Sequence, residues 1–407
     1  MTPAQLLSSA AIRERCANIL SCALAGESRW FTVDLGQLDP AAEQVAAITR
    51  RRYPDLAVPY HSRWRHFEAG GFDRAGSLFA PLMSSGDLIE TARSRIDLAV
   101  VAVLLDAGAG GAWRYTDAAT GFVAGRSEGL GIASLRAFEA GLFSSDAGRP
   151  LQVDCQGLAA LDAPTLAAAF QVRADNPLVG LEGRVDLLKR LGETMRRQSD
   201  WFGESARPGA LFDALLPAAS REHGMRIEAH DILSALLQSM GPIWPQGASL
   251  GGIALGDTWP HPQAGGIGET AAWVPFHKLS QWLTYSLLEP FEAAGVKVAR
   301  LDALTGLAEY RNGGLLVDTE VIRARDASVF ASPLAPGAEP IVEWRALTVS
   351  LIDLLAPRVR AQLGPVANTL PLAAILEGGT WAAGRELAQS RRGGEPPFRV
   401  ISDGTVF

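Results

Sequence analysis

Apolar positions recur at helical spacing along most of this chain, broken by short stretches of Gly, Pro and Asp. Asp39-Pro40 has the form of an N-cap followed by proline at the first helical position, and it opens an Ala-rich helix toward Arg51. Asp87 starts a helix carrying Ile89, Ala92, Ile96 and Val100 that ends near Gly108. Helical spacing also runs through 127–140, 163–171, 183–197, 276–294, 343–363 and 371–389. Residues 241–268 have no simple period; rich in Gly, Pro and Trp, they read as a long ordered loop suited to binding groups. Residues 297–321 are the best strand candidate, as a hairpin turning at Asn312-Gly313-Gly314, and Phe398–Ile401 closes the chain as a short strand. The fold class that follows is mainly α with a few short β-strands.

Composition narrows this picture. With 48% hydrophobic and 20% charged residues over 407 positions, the chain can bury a substantial core. No linker divides it, so the expectation is one elaborated unit over 1–407, with a possible subdivision into a helical 1–240 and a site-bearing 241–407. A formal charge of -7 argues against a general nucleic-acid binder, which profits from excess Lys and Arg. The longest apolar run, Leu98–Leu105, is too short to span a bilayer, and Arg13, Glu14 and Arg15 interrupt the first apolar stretch, unlike a secretory signal. Cys16, Cys22 and Cys155 form no zinc-like pairing, and an odd, sparse set suits a reducing compartment. These features predict a cytoplasmic protein with no membrane partner. They leave the oligomeric state open.

Four clusters can carry chemistry, each with a plainer reading beside it. In Tyr60–Glu68, the cations Arg63 and Arg65 interleave with aromatics, which suits a phosphate and a planar group; a surface with snorkelling arginines looks the same. Lys278, Gln281 and Tyr285 share a helix face, as a polar ligand surface or a polar seam between helices. A hairpin would bring Asp318 near Glu309, and neighbouring carboxylates are what glycosidic cleavage uses, though carboxylates at turns are commonly just solvated. Glu343, at a helix start, is by default a capping charge; its functional version reaches into a cleft with Arg345. Gly108–Gly111 lacks the dinucleotide fingerprint, no Walker A lysine is present, and six histidines give no HExxH.

Several runs occur together as a set. Gly268-Glu269 and Trp273–Tyr285 resemble the central motif of the fungal and bacterial uracil-catabolism family. Tyr60–Gly71, Tyr310–Asp318, Glu343–Thr348, Leu376–Arg385 and the tail Ser402–Phe407 are similar to other parts of that family, so the resemblance spans nearly the whole chain. A more distant resemblance is to queuosine 5′-phosphate N-glycosidases, through Lys278–Gln281, Glu309-Tyr310-Arg311 and Glu343–Ala346. It implies a helical architecture like that of DNA glycosylases. Those enzymes have aspartate where this chain has Glu309, and the extra methylene moves the carboxylate by about a bond length.

The family's pathway implies a step in which a ribosylurea formed from uracil loses its sugar to release urea. The expectation is therefore an N-ribosyl hydrolase acting on ribosylurea or its 5′-phosphate, or a similar nucleotide catabolite, with no metal or organic cofactor. Glu309 would stabilise the sugar cation or activate water, with Asp318 as its substitute. Gln281, Tyr285, Glu343 and Asp403 would bind the sugar or ureido group, with His277 and Tyr310 as further contacts. Lys278, Arg345, Arg63 and Arg385 would hold the phosphate. The alternatives are a hydrolase of the ureido amide bond and a non-catalytic sensor or scaffold for a pyrimidine catabolite.

Overall fold

A computed structural model describes residues 1–220, 225–244 and 248–401. The chain is mainly helical, and the strands it contains are short and paired two by two. Two compact units interleave along the sequence. The first takes in 1–61, 248–281 and 300–401, and the second 62–244 and 282–299.

In the first unit the long helix Glu339–Leu363 packs against Ser9–Leu24 and Leu38–Arg52. Its residues from Pro340 to Ile352 are buried on every face, so it serves as a central pillar rather than a surface helix. The antiparallel pairs Phe31–Val33 with Ile322–Ala324 and Thr258–Pro260 with Trp273–Pro275 stitch distant segments together. In the second unit Leu88–Leu104 has its last eight residues wholly or almost wholly buried and packs on Arg126–Glu139. Arg226–Glu228 pairs in parallel with Lys297–Ala299.

Local capping explains several boundaries. Asp87 accepts a hydrogen bond from the Glu90 amide at 2.9 Å and starts its helix as expected. Asp39, expected as a cap, instead lies inside the first turn of Leu38–Arg52, where its charge faces the helix's positive end. The 241–268 region is not simply a loop, since it contains the hairpin Ala248–Leu250/Ile253–Gly256 and the strand Thr258–Pro260.

The largest correction is at 297–321. Only Lys297–Ala299 is a strand there, and Tyr310–Asp318 is a helix, with Gly313 and Gly314 inside it. Glycine normally costs a helix interior about 1 kcal/mol. Here a Cβ on Gly313 would lie 2.6 Å from the Trp344 indole, and the neighbouring helix Trp381–Arg392 comes so close that a Cβ on Gly384 would lie 2.0 Å from the Arg311 carbonyl. Glycine buys close helix packing at these positions, not a turn. The helix expected over 371–389 is also interrupted: Leu372–Ile375 leads into a π-helix at Leu376–Thr380 before Trp381–Arg392 begins.

Candidate active site

Glu309 is the N-cap of Tyr310–Asp318. Its carboxylate accepts the Arg311 amide at 2.8 Å and the Asn312 amide, which fixes its direction and sets it against the positive end of the helix. Protein surrounds this side chain, leaving it only partly exposed. Burial pushes its carboxyl above the ordinary glutamate value; the two amides, His61 and Lys278 pull the other way without prevailing. An ionised carboxylate has about four lone-pair positions, so two remain for a substrate or a water.

Lys278 and the backbone before Glu309 are fixed by one ion pair. Asp257, just before the Thr258–Pro260 strand, receives both guanidinium ends of Arg345, at 2.8 and 2.7 Å. The same carboxylate accepts the Lys278 amide at 3.1 Å and the Trp259 indole N–H at 2.7 Å. Arg345 donates its Nε to the Ala308 carbonyl at 3.3 Å and lies 4.1 Å from the Phe276 ring. Burial alone would raise the Asp257 carboxyl, but Arg345 and these donors hold it well below the usual aspartate range. Gln281 adds a second tie, exchanging hydrogen bonds with the Thr305 side chain and amide.

A third group completes the site. His61 Nδ1 lies 2.9 Å from Glu377, in the π-helix, and the His61 amide is held by the Ala373 carbonyl at 3.0 Å. Glu377 also receives Arg52 at 2.9 Å and the Tyr53 hydroxyl at 3.2 Å. Burial would raise its carboxyl, but His61 and Arg52 hold it below the usual glutamate value. A Cβ on Gly379 would lie 2.5 Å from Val45, so glycine lets the π-helix press against the helix that carries Arg52. π-Helical turns are rare and concentrate at functional sites.

The other expected site residues have different surroundings. Asp318, at the far end of the helix that Glu309 caps, is about 13 Å along the axis and gripped by Arg392 through two 2.7 Å bonds. The expected carboxylate pair therefore does not form, because its hairpin is a helix. Glu343 is not at a helix start; it is buried inside Glu339–Leu363, accepts the Ser28 hydroxyl and lies 3.4 Å from His261 Nε2. Arg345, expected as a phosphate ligand, forms a two-pronged pair with Asp257. His277 is buried with a left-handed φ of 48°, its Nε2–H donates to the Leu6 carbonyl at 3.0 Å, and burial pushes its pKa down.

Tyr310 is partly exposed under the Arg311 guanidinium, and Arg385 is exposed beside the Trp381 ring. Tyr285 and Arg63 belong to the second unit and are fully buried; Arg63 pairs with Asp106 at 3.1 Å. Asp403 lies outside the described residues. The sequence reasoning missed Asp257, His61 and Glu377, although the last two fall inside runs it had singled out.

The arrangement is that of a helical protein in which a helix-capping carboxylate and a histidine–carboxylate dyad stand on elements that pack together. Among the described residues no group of three or more His, Cys, Asp or Glu is placed to hold a metal ion, and no helix is long and apolar enough to cross a membrane. Residues 5–407 match the model of a family described as a protein of unknown function, DUF1688, and the chain belongs to that family. It is 39% identical to protein urg3 of Schizosaccharomyces pombe over 413 residues, covering 100% of this chain and 99% of that protein. It is 37% identical to uracil catabolism protein 4 of Lachancea kluyveri over 411 residues, covering 94% of this chain and 93% of that one.

Proposed function

We propose that this chain acts in uracil catabolism as a hydrolase that cleaves the N-ribosyl bond of a ribosylurea, releasing urea. The observation that carries the reading is Glu309, a directed carboxylate in protein surroundings with Lys278 and His61 in electrostatic reach. As the C1′–N bond breaks, the sugar gains oxocarbenium character, and a preorganised carboxylate in a water-poor site stabilises that charge. Glu309 can also take the proton of the attacking water. Lys278 is the cation suited to the distal end of the substrate, as a 5′-phosphate ligand. The name of the Lachancea kluyveri relative supports the pathway.

The test is incubation of purified protein with synthetic ribosylurea 5′-phosphate. Urea and ribose 5-phosphate are the expected products. Ammonia and carbon dioxide would instead identify a ureido-amide hydrolase, and binding without turnover a sensor. Equal turnover of ribosylurea with and without the phosphate would remove Lys278 from phosphate binding.

A further inference from the structure

Urea is a poor leaving group unless it gains a proton as the bond to the sugar breaks. Glu309 is poorly suited to supply one, because both its oxygens accept amide hydrogen bonds and it serves best when ionised. On the hydrolase reading above, we infer that His61 is the proton donor to the ureido nitrogen and that Glu377 is its positioning residue.

Three observations meet at His61. Its Nδ1 is bound to Glu377 at 2.9 Å, so Nδ1 carries a hydrogen and the ring orientation is fixed. Among the described residues its one side-chain hydrogen bond is through Nδ1, which leaves Nε2 as the ring nitrogen for a ligand. The π-helix that carries its partner Glu377 packs against Tyr310–Asp318, the helix that Glu309 caps, so the dyad and Glu309 stand on touching elements. Glu377 is in turn held by Arg52 and Tyr53, far more support than a surface histidine's partner needs. With Nδ1 held by the carboxylate, Nε2 is the ring nitrogen that can exchange a proton with a bound substrate.

The proton balance closes with these groups. The imidazolium gives its Nε2 proton to the ureido nitrogen as the C1′–N electron pair leaves with urea. Water adds to C1′ and passes its proton to Glu309. Exchange with solvent then returns a proton to His61 and removes one from Glu309, so the net reaction consumes only water.

Leaving-group dependence tests this assignment. Ribosylurea 5′-phosphate needs a proton on its leaving nitrogen, whereas 4-nitrophenyl riboside 5-phosphate expels a stable phenolate and does not. His61→Asn, whose amide can still donate to Glu377, is expected to lose urea release by about 100-fold or more while keeping nitrophenolate release within about threefold of wild type. Glu377→Gln should show the same selective loss, reduced to about tenfold, with partial recovery in Glu377→Asp. Glu309→Gln should slow both substrates.

Equal losses on both substrates in His61→Asn, or unchanged urea release, would overturn the His61 assignment while leaving the hydrolase reading intact. A wild-type protein that releases neither urea nor nitrophenolate would overturn both. If His61→Asn fails to fold, Glu377→Gln carries the same comparison.

Discussion

Asp257 and Glu309 are both carboxylates enclosed by protein in the same unit, and their surroundings push them in opposite directions. Asp257 receives a two-pronged guanidinium, an indole N–H and an amide, and its carboxyl is driven far down. Glu309 receives two amides and, among the described residues, no ion-pair partner in contact, and its carboxyl is driven up. The first has its lone pairs occupied and its charge cancelled, so it holds the scaffold together. The second keeps both charge and unused lone pairs at the cost of desolvation, which is what a group awaiting a substrate requires. Burial alone therefore does not mark a functional carboxylate; the shortfall of partners does.

Replacing each with its amide should separate the two roles. Asp257→Asn leaves Arg345 buried without its counter-ion, and losses of about 3–5 kcal/mol are usual for that change. Denaturant unfolding should show the drop, and the tethers to Lys278 and Ala308 should loosen with it. Glu309→Gln should retain the fold, because an amide oxygen can still cap the helix, yet lose urea release by about 100-fold or more. A large stability loss in Glu309→Gln with normal turnover per folded molecule would reverse the comparison and make Glu309 a cap and nothing else.

A smaller effect tests how the helix behind Glu309 is held. Gly384→Ala would push a methyl into the Arg311 carbonyl, so the two helices must separate. Overpacking of this kind costs about 1–3 kcal/mol, and the displacement should slow urea release beyond what the unfolded fraction explains. Thermal unfolding and the rate per folded molecule, measured together, check it.

These comparisons also show what could be read from the residues in order. The helices with a strong apolar period, such as Leu88–Leu104 and Lys278–Ala293, and the cap at Asp87 were legible because their causes are local. The helix Tyr310–Asp318 was not, because Asn312-Gly313-Gly314 has the form of a turn while the reason for the glycines, the Trp344 indole, lies 31 residues away. Glu309 was singled out from the residues in order, but its expected pairing with Asp318 depended on that hairpin. The Arg345–Asp257 pair joins positions 88 apart and His61–Glu377 positions 316 apart, and neither leaves a trace in spacing. The long motifs drew attention to these segments, but only the folded chain shows which of their side chains are already paired with one another.

The finest difference between the two carboxylates is in their titration. Glu309 has a folded-state pKa above its unfolded value, so its folded form holds the proton more tightly. Its contribution to stability is present at low pH and is lost as pH rises from the ordinary glutamate range, about 4.3, through the raised value. Activity that needs the ionised form must then have an acid limb in kcat/KM above the ordinary glutamate pKa, and Glu309→Gln should abolish that limb in the residual rate. Asp257 has the opposite sign: its contribution is present above the unfolded aspartate value, about 3.9, and is lost only as pH falls through its depressed folded pKa. On the hydrolase reading, acidification should therefore silence urea release while the protein remains folded. If unfolding and inactivation instead track together across the same pH range, the acid limb reports the scaffold, and the distinction between the two carboxylates fails.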